Sequence, residues 1–111
     1  MDTVSRYRAI IEQVLTEYAA IPFSHGKIET QTVFDSHSDH YLLLLMGSEG
    51  VKRVHGCLVH IGVKDGKVWI HRDGTEQGMA RELLAAGIPK DDIMLAFRVP
   101  DPPEPLSAVL P

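Results

Sequence analysis

A single cysteine, Cys57, among 111 residues excludes an internal disulfide, so nothing in the chain argues for an oxidising compartment. Long apolar runs are missing as well. The longest, Tyr41 to Met46, is far short of the ~20 residues needed to span a bilayer. The start, Met1-Asp2-Thr3-Val4-Ser5-Arg6-Tyr7-Arg8, lacks the basic segment and apolar stretch of a secretory signal, and the expected location is the cytoplasm. A basic excess is absent too: Lys and Arg number 11 against 15 Asp and Glu, a net charge of −4. A domain that binds nucleic acid by charge alone normally shows the opposite balance. Nor is there a C-x-x-C, H-E-x-x-H, G-x-G-x-x-G or G-x-x-x-x-G-K-[ST] pattern, so spacing supports neither a zinc centre nor a phosphate cradle.

What is present suits one ordinary globular domain of 12.3 kDa, with 44% apolar and 23% charged residues. Six histidines are many for this length; full protonation would move the net charge from −4 to +2. Proline is concentrated in Pro100-Asp101-Pro102-Pro103-Glu104-Pro105, which can be neither helix nor central strand. We therefore expect a single domain over 1–99 and a proline-rich C-terminal arm over 100–111. The apolar Leu106, Val109 and Leu110 of that arm dock on the body, meet another chain or stay loose.

Val4, Tyr7, Ile11, Val14 and Tyr18 recur at spacings of three and four, which predicts an amphipathic helix capped by Asp2 or Thr3 and ended by Pro22. From Lys27 to Phe34 the period changes to two, the mark of a half-buried strand. Asp35 to Asp39 is a polar turn. His40 to Met46 reads as a buried central strand ending at Gly47-Ser48-Glu49-Gly50, and Val51 to Lys64 as a long strand. Asp65-Gly66 predicts a type I′ hairpin into Lys67–Arg72, with Val68 and Ile70 on one face and Trp69 and His71 on the other. Asp73, or Thr75, with Glu76 caps a second helix carrying Met79, Leu83 and Leu84 and closed by Gly87. Ile93 to Val99 is the last strand. The expected fold is α+β, an antiparallel meander sheet covered by helices on one face, in the order α-β-β-β-β-α-β.

Candidate chemistry is sparse. His55 and Cys57 share a strand face and are both zinc-binding types, but two ligands do not make a site, and His60 lies on the opposite face if the strand is regular. Cys57 as a nucleophile would need a base and an electropositive setting; mid-strand, it reads better as a small hydrophobe. His71, Asp73, Glu76 and Glu82 could be imagined as an acid–base group, though capping explains Asp73 and Glu76. No catalytic residue, metal or cofactor is expected. The remaining candidate is an interaction surface: if the ends of the third and fourth strands lie side by side, Lys52, Arg53, His55, Trp69, His71 and Arg72 cluster, a basic and aromatic patch able to meet a protein or a nucleic acid.

Several motifs in order carry a resemblance. These are Arg53-Val54-His55-Gly56-Cys57-Leu58-Val59-His60-Ile61, Lys64-Asp65-Gly66-Lys67-Val68-Trp69-Ile70, Asp73-Gly74-Thr75-Glu76 and Gly87-Ile88-Pro89-Lys90-Asp91-Asp92-Ile93, preceded by Tyr7-Arg8-Ala9-Ile10-Ile11, Tyr18-Ala19-Ala20-Ile21-Pro22, Phe34-Asp35 and Asp39-His40-Tyr41. From about residue 4 to 98 the chain resembles the XisI-like family, the fdxN element excision controlling factors of cyanobacteria. The resemblance implies a small accessory protein for the programmed excision of a DNA element, a recombination that a separate recombinase performs. It implies no catalytic residues. It implies protein partners, a second, endonuclease-like excision controlling factor and, as a further contact, the recombinase; apart from the resemblance, the chain is expected to form a homo-oligomer. Direct DNA contact through the patch around Arg53, Trp69 and Arg72 is the alternative, and a metal or thiol function at His55 and Cys57 a weaker one.

Overall fold

The computed structural model describes residues 2–23, 26–97 and 103–109. Helix α1 (Thr3–Ala19) starts where the Asp2 carboxylate accepts a hydrogen bond from the Ser5 N–H at 2.7 Å, as a helix N-cap should. Its buried residues are Tyr7, Ile11, Val14 and Leu15, the stripe expected from the spacing. Each fully buried side chain of this size contributes about 1.5–3 kcal/mol. The stripe rests on a five-stranded sheet in the order β1 (Lys27–Asp35), β2 (His40–Glu49), β3 (Lys52–Lys64), β4 (Lys67–Asp73), β5 (Ile93–Leu95). Tyr41, Leu43, Val59, Ile61, Val68, Ile70, Ile93 and Leu95 face the helices and form the core with Met79 and Leu83 of α2 (Met79–Ala85). Among the described residues no helix lies over the opposite face.

The first four strands form the expected antiparallel meander. The fifth differs. β5 pairs with β4 in parallel, Val68 opposite Ile93 and Ile70 opposite Leu95, because α2 carries the chain back across the sheet between them. The sheet is therefore mixed. Helix α2 begins later than its capping residues suggested: Glu76 takes no part, and the Asp73 carboxylate reaches past a loop to accept from the Met79 N–H at 2.7 Å and the Thr75 N–H at 3.0 Å. Of the fates left open for the tail, docking on the body is the one Leu106 takes. Leu95 N–H donates to the Glu104 carbonyl at 3.1 Å, Pro105 bridges to Met94, and Leu106, 5% exposed, joins the core. Residues 98 and 99, where the last strand was expected to end, lie outside the described residues, as do 100–102.

The turns follow their residues. Asp65 and Gly66 take φ of 54° and 74°, both positive as a type I′ turn requires. β2 runs three residues past its expected end because Gly47 adopts φ 145° and lies against β1: a Cβ there would stand 1.9 Å from the Lys27 carbonyl oxygen. Gly47→Ala must therefore push β1 off β2. The expected loss is at least about 2 kcal/mol of stability, read as a lower urea midpoint at unchanged m-value; an unaltered midpoint would contradict this packing.

Candidate functional site

Two residues without a strand partner decide what the uncovered face carries. In the β2–β3 ladder Leu43 pairs with Val59 and Leu44 with Cys57, leaving Leu58 unpaired; in the β3–β4 ladder His60 pairs with Arg72 and Ile61 with Ile70, leaving His71 unpaired. An extra residue of this kind reverses the facing of everything beyond it. The expectation that His60 lies opposite His55 and Cys57 held only for a regular strand. With the bulge at Leu58, Cys57 pairs with Leu44 and His60 with Leu42, residues on the same side of β2.

The result is a row of three imidazoles from three adjacent strands. His40 Nδ1 and His60 Nε2 are 3.0 Å apart, and the ring centroids of His40–His60 and His60–His71 are 5.1 Å and 4.7 Å apart. Gly62 makes room for them, since a Cβ there would meet the His71 ring at 3.1 Å. A hollow of about 490 Å³ lies beside the row, lined by Asp39, His40, Gly62, Lys64, Trp69, His71 and Pro103. Trp69 is held by its Nε1–H, which donates to the Lys64 carbonyl at 3.0 Å, and the Lys64 ammonium lies 5.8 Å from its ring. Below the row, Asp39 takes two hydrogen bonds from Arg8, at 2.7 and 2.9 Å, and one from the Tyr41 hydroxyl at 3.1 Å. The Arg8 guanidinium holds the Asp39 carboxyl below its ordinary range, while burial, aided by Asp39, pushes the Tyr41 hydroxyl up to about 12.

The six residues expected to cluster do not all meet. β3 has 13 residues and β4 only 7, so β4 ends opposite Val59 and the stretch from Lys52 to Leu58 pairs with β2 alone. Trp69, His71 and Arg72 stand together near His60. Lys52, Arg53 and His55 line a second hollow with Met46, Val51 and Val54 at the β2–β3 turn, five to eight residues from His60 and so roughly 17–26 Å along the strand. The imagined acid–base group is divided as well: His71 lies on the uncovered face, while Asp73, opposite Val59, is spent on the start of α2. Cys57 is half-buried, and its thiol donates to the Val59 carbonyl at 3.3 Å. Among the described residues no group of three or more His, Cys, Asp or Glu side chains is arranged to hold a metal ion.

Sequence reasoning missed His40 and His60. Their signal was the abundance of histidine, but joining them to His71 requires the position of two bulges. Between the histidine row and the β2–β3 turn run Leu42, Leu44 and Met46, half-buried, with no described helix over them.

This arrangement defines an α+β sheet protein with one helix-covered face and, among the described residues, one open face of mixed apolar, imidazole and cationic character. The chain belongs to the XisI family: the family model described as XisI protein matches residues 1–104. Two crystal structures are similar to it. One, of a XisI-like protein from Anabaena variabilis, is 32% identical, covers 89% of this chain and 90% of its own, and superposes with a TM-score of 0.78. The other, of the fdxN element excision controlling factor XisI from Anabaena variabilis, is 31% identical over 91% of this chain and 98% of its own, with a TM-score of 0.72. Among curated proteins none matches. No described helix is long and apolar enough to cross a membrane.

Burial, then the neighbouring His40, Lys64 and His71 charges, hold the His60 and His71 imidazoles below their ordinary range. In the unfolded chain they titrate near about 6.5, so as pH falls through 6.5 the unfolded state takes up more protons and folding weakens. Urea unfolding followed from about pH 7.5 down to about pH 5 should show a falling midpoint, and His60→Gln should flatten that fall. A variant with the same slope as the parent would remove the imidazole row as its cause.

Proposed function

We propose that this chain is a non-enzymatic accessory factor for site-specific excision of a DNA element of the fdxN type, acting from the cytoplasm through protein contacts made by its open sheet face. The supporting observation is that face itself: Leu42, Leu44 and Met46 form an apolar row with no described helix or strand over it, on the same face as His55, His60, Trp69 and Arg72. Apolar centres with aromatic and arginine neighbours are typical of protein interfaces. The partner is a second, endonuclease-like excision controlling factor or the recombinase. The name carried by the similar Anabaena variabilis protein, an excision controlling factor, supports the process.

A second reading has one observation in its favour. The open face of β3 and β4 carries Arg53, Lys64, Lys67 and Arg72 with no carboxylate among them, which suits phosphates. Its apolar row does nothing for a phosphate backbone. The two separate cleanly by salt: binding to duplex or single-stranded DNA must weaken steeply as salt rises, and no binding at low salt rejects this reading.

Co-purification with the product of the neighbouring gene, followed by measurement of the complex's mass, tests the first reading. Trp69→Ala should weaken that complex by about 2 kcal/mol or more, as truncation of aromatic anchors commonly does. Undiminished affinity in a variant of unchanged thermal stability would move the interface off this face.

A further inference from the structure

The two edges of the sheet are treated differently. β5 is closed by the C-terminal tract, through Leu95 N–H to Glu104 O and the Met94–Pro105 bridge. β1 is left open. It pairs only with β2, over nine residues in unbroken register, and among the described residues no backbone hydrogen bond from a turn, loop or other element reaches it. Proteins ordinarily blunt such an edge with proline, a bulge, a short strand or charged side chains. Of these β1 has only the charges, Lys27, Glu29 and Asp35, exposed along it with Gln31, Thr32 and Val33.

We propose that the β1 edge is a homodimer interface, at which β1 of a second copy pairs antiparallel about Gln31 to make one continuous ten-stranded sheet. The sequence Lys27-Ile28-Glu29-Thr30-Gln31-Thr32-Val33-Phe34-Asp35 is complementary to itself in that register. Lys27 falls opposite Asp35 at both ends, Ile28 opposite Phe34, Glu29 opposite Val33, and Thr30 opposite Thr32. Each pair joins residues that already share a face of the sheet, as a two-fold axis perpendicular to the sheet demands. Moving the register by one step in either direction loses this: one shift sets Glu29 against Asp35, the other leaves Lys27 against Val33. This contact is separate from the open face proposed above for another protein.

The full chain in solution should have about twice its 12.3 kDa mass by light scattering. Lys27→Asp sets carboxylates opposite one another at both ends and should raise the dimer dissociation constant on the order of tenfold, and Lys27→Asp with Asp35→Lys should restore it. Because Asp35 also accepts from the His37 and Ser38 N–H groups, a direct contact test runs beside the charge swap. In Cys57→Ser, Gln31→Cys places two thiols opposite each other with Cα atoms about 4.5–5.5 Å apart, so mild oxidation should link the copies. Glu29→Cys in the same background should not link, its two positions lying roughly 13 Å apart along the strands. Trp69→Ala should leave the dimer unchanged. A monomer at the highest soluble concentration overturns the proposal, as does a dimer that neither cross-links at position 31 nor responds to Lys27→Asp.

Discussion

Leu58 and His71 pair with nothing on the neighbouring strand, and the identity of the open face depends on that fact. Strand side chains alternate, so one inserted residue moves every later side chain to the other side. Without the insertion at Leu58, either Val59 and Ile61 would leave the core or Cys57, His55 and Arg53 would turn under the helices. With it, the apolar residues of the second half of β3 stay beneath α1 while Arg53, His55, Cys57 and His60 all face outward. His71 does the same for β4: Ile70 remains in the core, and both His71 and Arg72 come up beside His60. The open face is thus a consequence of satisfying the core twice over, once from each side of an irregular strand.

The helix-covered face must also be tied to the turn that begins β2, and a small polar network does this. Asp39, with φ 57°, sits at the end of the β1–β2 turn, takes a two-point contact from Arg8 of α1 and a hydroxyl from Tyr41 of β2, and offers its carbonyl to the Val63 N–H at 3.3 Å. Exposed ion pairs contribute little; this one is partly sheltered and bidentate, and its geometry does more than its charge. It fixes where His40, the next residue, enters the sheet. The position of the histidine row is therefore inherited from a contact on the other side of the sheet.

Much of the fold is legible in the sequence because its devices are local. The 3.6-residue period from Tyr7 to Leu15, the Asp65-Gly66 turn and the alternation in β1 each depend on neighbours in the chain. What is not legible depends on register between distant segments. Cys57 and His60 share a face only because Leu58 is skipped by β2, and nothing within Gly56-Cys57-Leu58-Val59 marks which residue will be skipped. The patch from Lys52 to Arg72 was half legible: Trp69, His71 and Arg72 follow from the hairpin, but the assumption of equal strand lengths brought Lys52 and Arg53 too near. The parallel placement of β5 and the return of Leu106 to the core are of the same non-local kind, settled by which edge had apolar surface left to cover.

The charge distribution turns these local facts into a constraint on partners. The chain carries a net −4, yet on the open face of β3 and β4 the formally charged residues, Arg53, Lys64, Lys67 and Arg72, are all cations, and the carboxylates of that face, Glu29 and Asp35, lie on β1. An acidic body with one basic face is oriented by long-range attraction as it approaches an acidic surface, while its remaining faces repel one. Attraction of that kind sets the rate and the direction of approach. Holding on requires desolvated apolar contact, and the Leu42–Leu44–Met46 row lies between the cationic strands and the acidic edge strand, where such contact would be shielded from water. A polyanion without apolar surface would use the cations and waste the row; a folded protein with an acidic rim and an apolar centre uses both.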